Sequence, residues 1–388
     1  MSQFDCLVNR KGTFSTQWDF TEDRFGKKDI LPFSISDMDF QSPPEILKAI
    51  NKYTEHGIFG YTRWNHESYK SAIEKWYQKR FNSRISKDWI VYSPSVIYAI
   101  SRLIEILTNE EDQVVIQTPC YDAFFKVIYA SNRVLLENPL IYKNRFYQID
   151  FEDLEKKLSQ KKSKVLLLCN PHNPTGRVWS KAELRRIINL CTVYKVKIIS
   201  DDIHMDITYK KNFTPITSVV DNVENMFICS SSSKTFNTPS LGGAYVLIPN
   251  EVVRKKFLKI LKNRDGISSP TIFGLLSLIE GYKKADDWVD ELCGYLYGNL
   301  ELVKKFIESE LPILKFQIPE STYLAWIDVK NLNRTSEQIQ DALTNIGKVG
   351  IMPGDVYGAA NGTFLRMNIG CPRKKVMLGL EKLKMSLN

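Results

Sequence analysis

No apolar run in this chain approaches the roughly 20 residues that a membrane-spanning helix needs, and Met1 to Cys6 lack the charged-then-apolar pattern of a secretory leader. A reducing cytoplasm is therefore the expected location, with no membrane partner. Cysteines at disulfide or metal-binding spacing are also missing. The seven (Cys6, Cys120, Cys169, Cys191, Cys229, Cys293 and Cys371) are odd in number and scattered, several of them inside apolar runs where a free thiol packs as a small hydrophobe. Neither a disulfide framework nor a zinc site is expected. Internal repeats and low-complexity tracts are absent. The net charge of +9 is not gathered into a stripe but spread as short groups such as Lys27-Lys28, Lys161-Lys162, Lys210-Lys211 and Arg373-Lys374-Lys375, which read as a solvated face. No helix-turn-helix pattern stands out, so direct nucleic-acid binding is not expected either.

What the chain does have is ample material for a core: 388 residues, 43% hydrophobic and 25% charged, a length that predicts about two domains. From Glu45 a helical pattern runs through Ile46, Leu47, Ile50 and Tyr53, breaks at Gly57 and Gly60-Tyr61, and resumes through Tyr69, Ile73, Trp76 and Tyr77. Short apolar runs then alternate with amphipathic stretches, each run emptying into polar residues. Ile90-Val91-Tyr92 leads to Ser93-Pro94-Ser95-Val96, and Val114-Val115-Ile116 to Thr118-Pro119-Cys120-Tyr121. Val165-Leu166-Leu167-Leu168 leads to Asn170-Pro171-His172-Asn173-Pro174-Thr175-Gly176, and Val196-Lys197-Ile198-Ile199 to Ser200-Asp201-Asp202-Ile203-His204. Asn225 to Cys229 opens into Ser230-Ser231-Ser232-Ser233-Lys234, and Ala244 to Ile248 supplies one more run. Strands alternating with helices predict an α/β fold with a mainly parallel sheet covered on both faces, its polar punctuation collected along one edge. Beyond about residue 285 the pattern turns to helix and then to short strands at Tyr323 to Ile327 and Phe364 to Met367. The expected division is a large domain over 45–285 and a smaller α+β domain built from 1–44 and 286–388.

Asn173, Asp201 and Lys234 follow separate predicted strands and should meet where open α/β sheets bind ligands. A lysine amine, an anion, an amide and an aromatic ring at Tyr121 are the groups that pyridoxal 5'-phosphate (PLP) asks for, with serines nearby for its phosphate. Taken singly, each has an ordinary explanation as turn, cap, core or surface residue; their coincidence at one sheet edge carries the functional reading.

The run Asn170 to Gly176 resembles the N-P-x-N-P-T-G motif of fold type I PLP enzymes. Ser36-Asp37-Met38-Asp39-Phe40, Gly60-Tyr61, Ser200 to Asp206, Ser233 to Asn237 and Arg366-Met367-Asn368 are similar to the MalY/PatB branch, the cystathionine β-lyases or C–S lyases. That resemblance covers essentially the whole chain and implies a seven-stranded, mostly parallel sheet. It further implies that Lys234 bonds the PLP aldehyde, Asp201 pairs with the ring nitrogen, Asn173 bonds the ring oxygen and Tyr121 stacks on the ring. His204 takes the place of an aminotransferase tyrosine beside it. Ser95, Val96, Ile97, Ser231 and Ser233 would surround the phosphate, with Tyr61 reaching across from a neighbouring subunit of a homodimer. Arg366 would grip the substrate carboxylate, with Asp37 and Met38 also at the substrate. Gly242 stands where aminotransferases carry a phosphate-binding arginine. The implied activity is α,β-elimination from a sulfur amino acid; an aminotransferase, or a regulator of a transcription factor of the maltose-system type, are the alternatives.

Overall fold

The computed structural model describes residues 2–387. The main sheet has seven strands, β1 (Ile90–Ser93), β2 (Gln113–Thr118), β3 (Val134–Pro139), β4 (Ser163–Cys169), β5 (Lys197–Asp201), β6 (Met226–Ser230) and β7 (Ala244–Leu247). Their spatial order is β1-β7-β6-β5-β4-β2-β3. Strands β2 to β6 run parallel, with Leu168 opposite Ser200 and Asp201 opposite Cys229. Every residue of β5 and β6 is buried except Lys197, so both faces of the sheet are covered, as parallel sheets require.

Two features depart from the sequence pattern. Strand β7 is antiparallel to both β6 and β1. A parallel return needs a crossover helix, and residues 231–243, which join β6 to β7, form tight turns instead. Edge strand β3 was not visible as an apolar run, because half of it is exposed and it carries Glu137, Asn138 and Pro139, residues suited to an edge.

Helix α1 (Pro44–His56) begins with proline in its first turn and stops at Gly57, whose φ of 72° makes the left-handed cap. Helix α2 (Glu67–Phe81) buries Tyr69, Ala72, Ile73, Trp76 and Tyr77, one face at helical spacing. The others used below are α3 (Val96–Leu107), α4 (Asp122–Ala130), α5 (Ile272–Lys284), α6 (Asp286–Glu310) and α7 (Arg373–Leu387). Helices α5 and α6 meet at Ala285. No described helix is long and apolar enough to cross a membrane.

A second, antiparallel sheet holds β8 (Lys315–Phe316), β9 (Leu324–Asp328), β10 (Met352–Pro353) and β11 (Phe364–Asn368), in the order β8-β9-β11-β10. Arg366 lies mid-strand in β11, opposite Trp326 on one side and Met352 on the other. The N-terminal segment joins this part of the chain through Leu31 and Pro32, which pair in parallel with Val349 and Gly350.

An aromatic cluster seats the lysine turn. Phe236 is fully buried against Trp76, Tyr282 and Trp288, and Trp76 stacks on Tyr282 at 4.6 Å. Gly281 of α5 lets the Phe236 ring approach so closely that an added Cβ would sit 2.4 Å from it. Replacing Gly281 by alanine is therefore expected to overpack the core and lower stability by about 1–3 kcal/mol, read as a fall in Tm; an unchanged Tm would show that the ring can withdraw freely.

Candidate active site

The ends of β4, β5 and β6 open into a cavity of about 400 Å³. Its lining includes Ser95, Val96, Ile97, Tyr121, Asn173, Asp201, His204, Ser231, Ser233, Lys234 and Arg366, all but three of the residues singled out from the sequence.

Asp201 closes β5. Its side chain accepts one hydrogen bond, from the Ile203 backbone N–H at 3.2 Å, and burial pushes its pKa up to about 7, opposed by that bond and by Lys234. A carboxylate this poorly compensated favours a cationic partner. Lys234 is half-buried and lines the cavity. Burial pulls the amine down to about 8, with Arg366 acting the same way and Asp37 and Asp201 opposing. That amine donates to the carbonyl of Ser36, which also accepts from the Tyr323 hydroxyl at 2.9 Å. His204 is buried with Nδ1 unpartnered among the described residues; burial, Lys234 and Arg366 lower its pKa to about 3, so its ring is neutral.

Arg366 is buried without a carboxylate on its guanidinium. Nη1 donates to Asn173 Oδ1 at 3.2 Å, Nη2 to the Ser34 carbonyl at 3.0 Å, and the plane lies 4.2 Å over the Tyr357 ring. Nε has no partner among the described residues. A buried, unpaired guanidinium fork matches a carboxylate of a ligand.

The Ser95 hydroxyl caps α3 by accepting from the Tyr98 N–H, and Ser95, Val96 and Ile97 bring this helix N-terminus, an anion-favouring end, into the cavity lining. Ser231 donates to the Gly243 carbonyl and accepts from the Ser233 N–H, so its hydroxyl is already engaged. Gly242 lines this end with φ of 73°, where a side chain is disfavoured. Tyr121 precedes α4 with burial raising its phenol pKa.

Three expected residues lie elsewhere. Asp37 is taken up by Arg10, whose two terminal nitrogens reach its two oxygens at 3.3 and 2.7 Å, and Met38 is buried in the core. The cavity wall is instead made by their neighbours Ser34, Ile35 and Ser36. Tyr61 is fully exposed and does not line this chain's cavity. Sequence reasoning also missed Tyr357, Arg24, Met352 and Val356, which line the cavity from segments whose approach no local pattern announces.

The sequence model for class I and II aminotransferases matches residues 28–383. The chain belongs to that family. Within the family it is 41% identical to Protein MalY of Escherichia coli over 99% of this chain and 98% of that one. It is 36% identical to cystathionine beta-lyase PatB of Bacillus subtilis over 99% of this chain and all of that one. Among solved structures of the family's fold, cystalysin from Treponema denticola, which contains a pyridoxal 5'-phosphate cofactor, superposes with a TM-score of 0.94 at 31% identity, covering 99% and 98% of the two chains. The PLP-bound C-S lyase of Staphylococcus hominis gives 0.93 at 28% identity, covering 99% and 97%. The expected architecture, a fold type I α/β arrangement around a mostly parallel seven-stranded sheet, is the one observed.

Proposed function

We propose that this chain is a PLP-dependent carbon–sulfur lyase. It acts by α,β-elimination on L-cystathionine, L-cysteine or related S-substituted cysteines, releasing pyruvate, ammonia and a thiol such as homocysteine. The observation that carries this reading is the convergence of Lys234, Asp201, Asn173 and Arg366 on one cavity, in a chain similar over its full length to a cystathionine beta-lyase.

The cofactor fits these residues: Lys234 for its aldehyde, Asp201 for a protonated ring nitrogen, Asn173 for the ring oxygen and Tyr121 for the ring face. His204, neutral and lining the same cavity, would border the cofactor without adding charge. The Ser95 and Ser233 hydroxyls and the backbone N–H groups of Val96 and Ile97 would surround the phosphate, with Ser231 holding the turn beside them, since Gly242 offers no cation. Tyr61 is assigned to the phosphate of a second copy in a homodimer, which suits its exposure here. When bound, PLP supplies an electron-withdrawing ring that stabilises negative charge at the substrate α-carbon.

Arg366 holds the substrate carboxylate and so fixes which α-substituent faces Lys234. The Lys234 amine would take the α-proton as general base, a role its lowered pKa serves near neutral pH. The electron pair left at the α-carbon forms the α,β double bond as the β-carbon–sulfur bond breaks with its pair on sulfur; the thiolate takes a proton to leave as the thiol, and water completes the release of pyruvate and ammonia. The division into 45–285 against 1–44 with 286–388 belongs to the same proposal. It places Lys234, Asp201 and Asn173 on one part and Arg366 on the other. The seven free thiols suit a reducing cytoplasm.

The deciding experiment is pyruvate release from L-cystathionine by PLP-loaded protein with no keto acid present. Prompt pyruvate with stoichiometric homocysteine is expected. Turnover that appears only on adding a keto acid would make the chain an aminotransferase, and silence in both assays would favour a regulatory role with a protein partner.

A second expectation concerns loading. Because the neutral amine attacks the aldehyde, uptake of PLP by the apoprotein should accelerate about tenfold per pH unit below the Lys234 value of about 8 and level off above it. Cofactor absorbance after mixing reads this directly; a rate independent of pH between about 6 and 8 would remove Lys234 from the loading step.

A further inference from the structure

Asn237 stands three residues after Lys234 with φ of 56°, in the left-handed region that asparagine and glycine tolerate best. Its side chain is spent on one short stretch of distant chain. Nδ2 donates to the carbonyls of Met38 at 2.8 Å and Phe40 at 2.7 Å, while Oδ1 accepts from the Met38 N–H at 2.8 Å. Asparagine is the residue that combines that backbone with both donors and an acceptor at this reach.

The stretch it holds, residues 34–40, forms a strap across the cavity wall. Two strap carbonyls accept from the cavity's cationic groups: Ser34 from Arg366 and Ser36 from Lys234. Asn368 ties the same strap from the other side, donating to the carbonyls of Ile35 and Asp37. On the reading given above, Arg366 and Lys234 must turn to substrate and cofactor, and each then leaves a strap carbonyl. The strap therefore needs anchors that do not take part in the exchange.

We propose that Asn237 is a positioning residue: it locks the strap to the Lys234 turn, so that the Ser36 carbonyl stands ready for the lysine amine each time that amine is freed from the cofactor. The strap and the ligands thus compete for the same two cations, and Asn237 keeps the competitor in register.

Asn237→Gly tests this, because glycine keeps the left-handed backbone without strain and removes only the amide. In PLP-loaded protein the variant is expected to show kcat for L-cystathionine about tenfold lower with KM little changed, the size of losing two or three hydrogen bonds. The pH midpoint of the lysine-bound cofactor absorbance should also move away from the wild-type value. Wild-type kcat together with a wild-type midpoint overturns the proposal, as does a lowered Tm with both retained, which would leave Asn237 a structural role alone. Asn237→Asp provides a second test should the glycine variant fail to fold. It keeps the acceptor for the Met38 N–H but sets an anion against the Met38 and Phe40 carbonyls, so kcat should fall further; equality with wild type overturns the proposal again. Wild-type protein that releases no pyruvate would instead sink the lyase reading, while the absorbance midpoint would still report on the strap.

Discussion

Lys234→Ala is expected to lower pyruvate release from L-cystathionine by at least about a thousandfold, because it removes both the amine that holds the cofactor and the base that takes the α-proton, and positioned bases alone contribute about 10²–10⁴. The fold should survive the change. The amine's hydrogen bond within the protein is to the Ser36 carbonyl, and Tyr323 continues to donate to that oxygen. Asp201 loses the pull of the Lys234 charge, but burial already pushes its pKa up to about 7, so it can take a proton instead of leaving a buried charge stranded. Circular dichroism and Tm close to wild type, together with loss of the lysine-bound cofactor absorbance, would make the kinetic defect chemical. A variant retaining a tenth of wild-type turnover would remove Lys234 from the reaction.

Arg366→Leu should lower kcat/KM by about 10²–10³, chiefly through KM, since truncating one member of a buried charge pair costs about 2–5 kcal/mol and each 1.4 kcal/mol is about tenfold. The environment explains why the effect should be large. The guanidinium is buried, lies over Tyr357 and is bonded to neutral oxygens of Asn173 and Ser34, so its positive charge is unmatched by the protein. Arg366→Lys keeps the charge but loses the planar fork and should fall between leucine and wild type. An unchanged KM in the leucine variant would mean that the substrate carboxylate binds elsewhere.

Why some of this was legible in the sequence and some was not has a physical basis. Asn173, Asp201 and Lys234 could be read because each lies at or a few residues past the end of a buried parallel strand, and such ends converge whatever the rest of the chain does. Arg366 could be found by resemblance alone; in isolation it is one arginine in a short strand. The roles of the strap residues Ser34 and Ser36 were invisible, although Ser36 stands in a matched run, because they contribute backbone carbonyls, which every residue owns, and because contacts from Arg366, Asn368 and Asn237, some two to three hundred residues away, hold the strap in place. Asp37 and Met38 lay in the right segment, but Arg10 claims the first and the core the second. Strand β3 escaped notice for the opposite reason: an edge strand half open to solvent has no apolar run to betray it.

The placement of β1 bears on how this protein comes to exist during synthesis. Strand β1 is complete by residue 93, yet it lies at the sheet's edge and its partner in that sheet is β7, whose first residue is 244. An emerging chain therefore carries an unpaired, apolar strand while some 150 residues more are translated, a long-range closure of the kind that folds late and leaves edges open to aggregation. Residues 231–243, which carry the Lys234 turn, are the connection from β6 to the strand that makes this closure. The lysine that marks the site is thus among the last parts of the main sheet to settle, and no nascent fragment that ends before β7 presents the finished site to a cofactor.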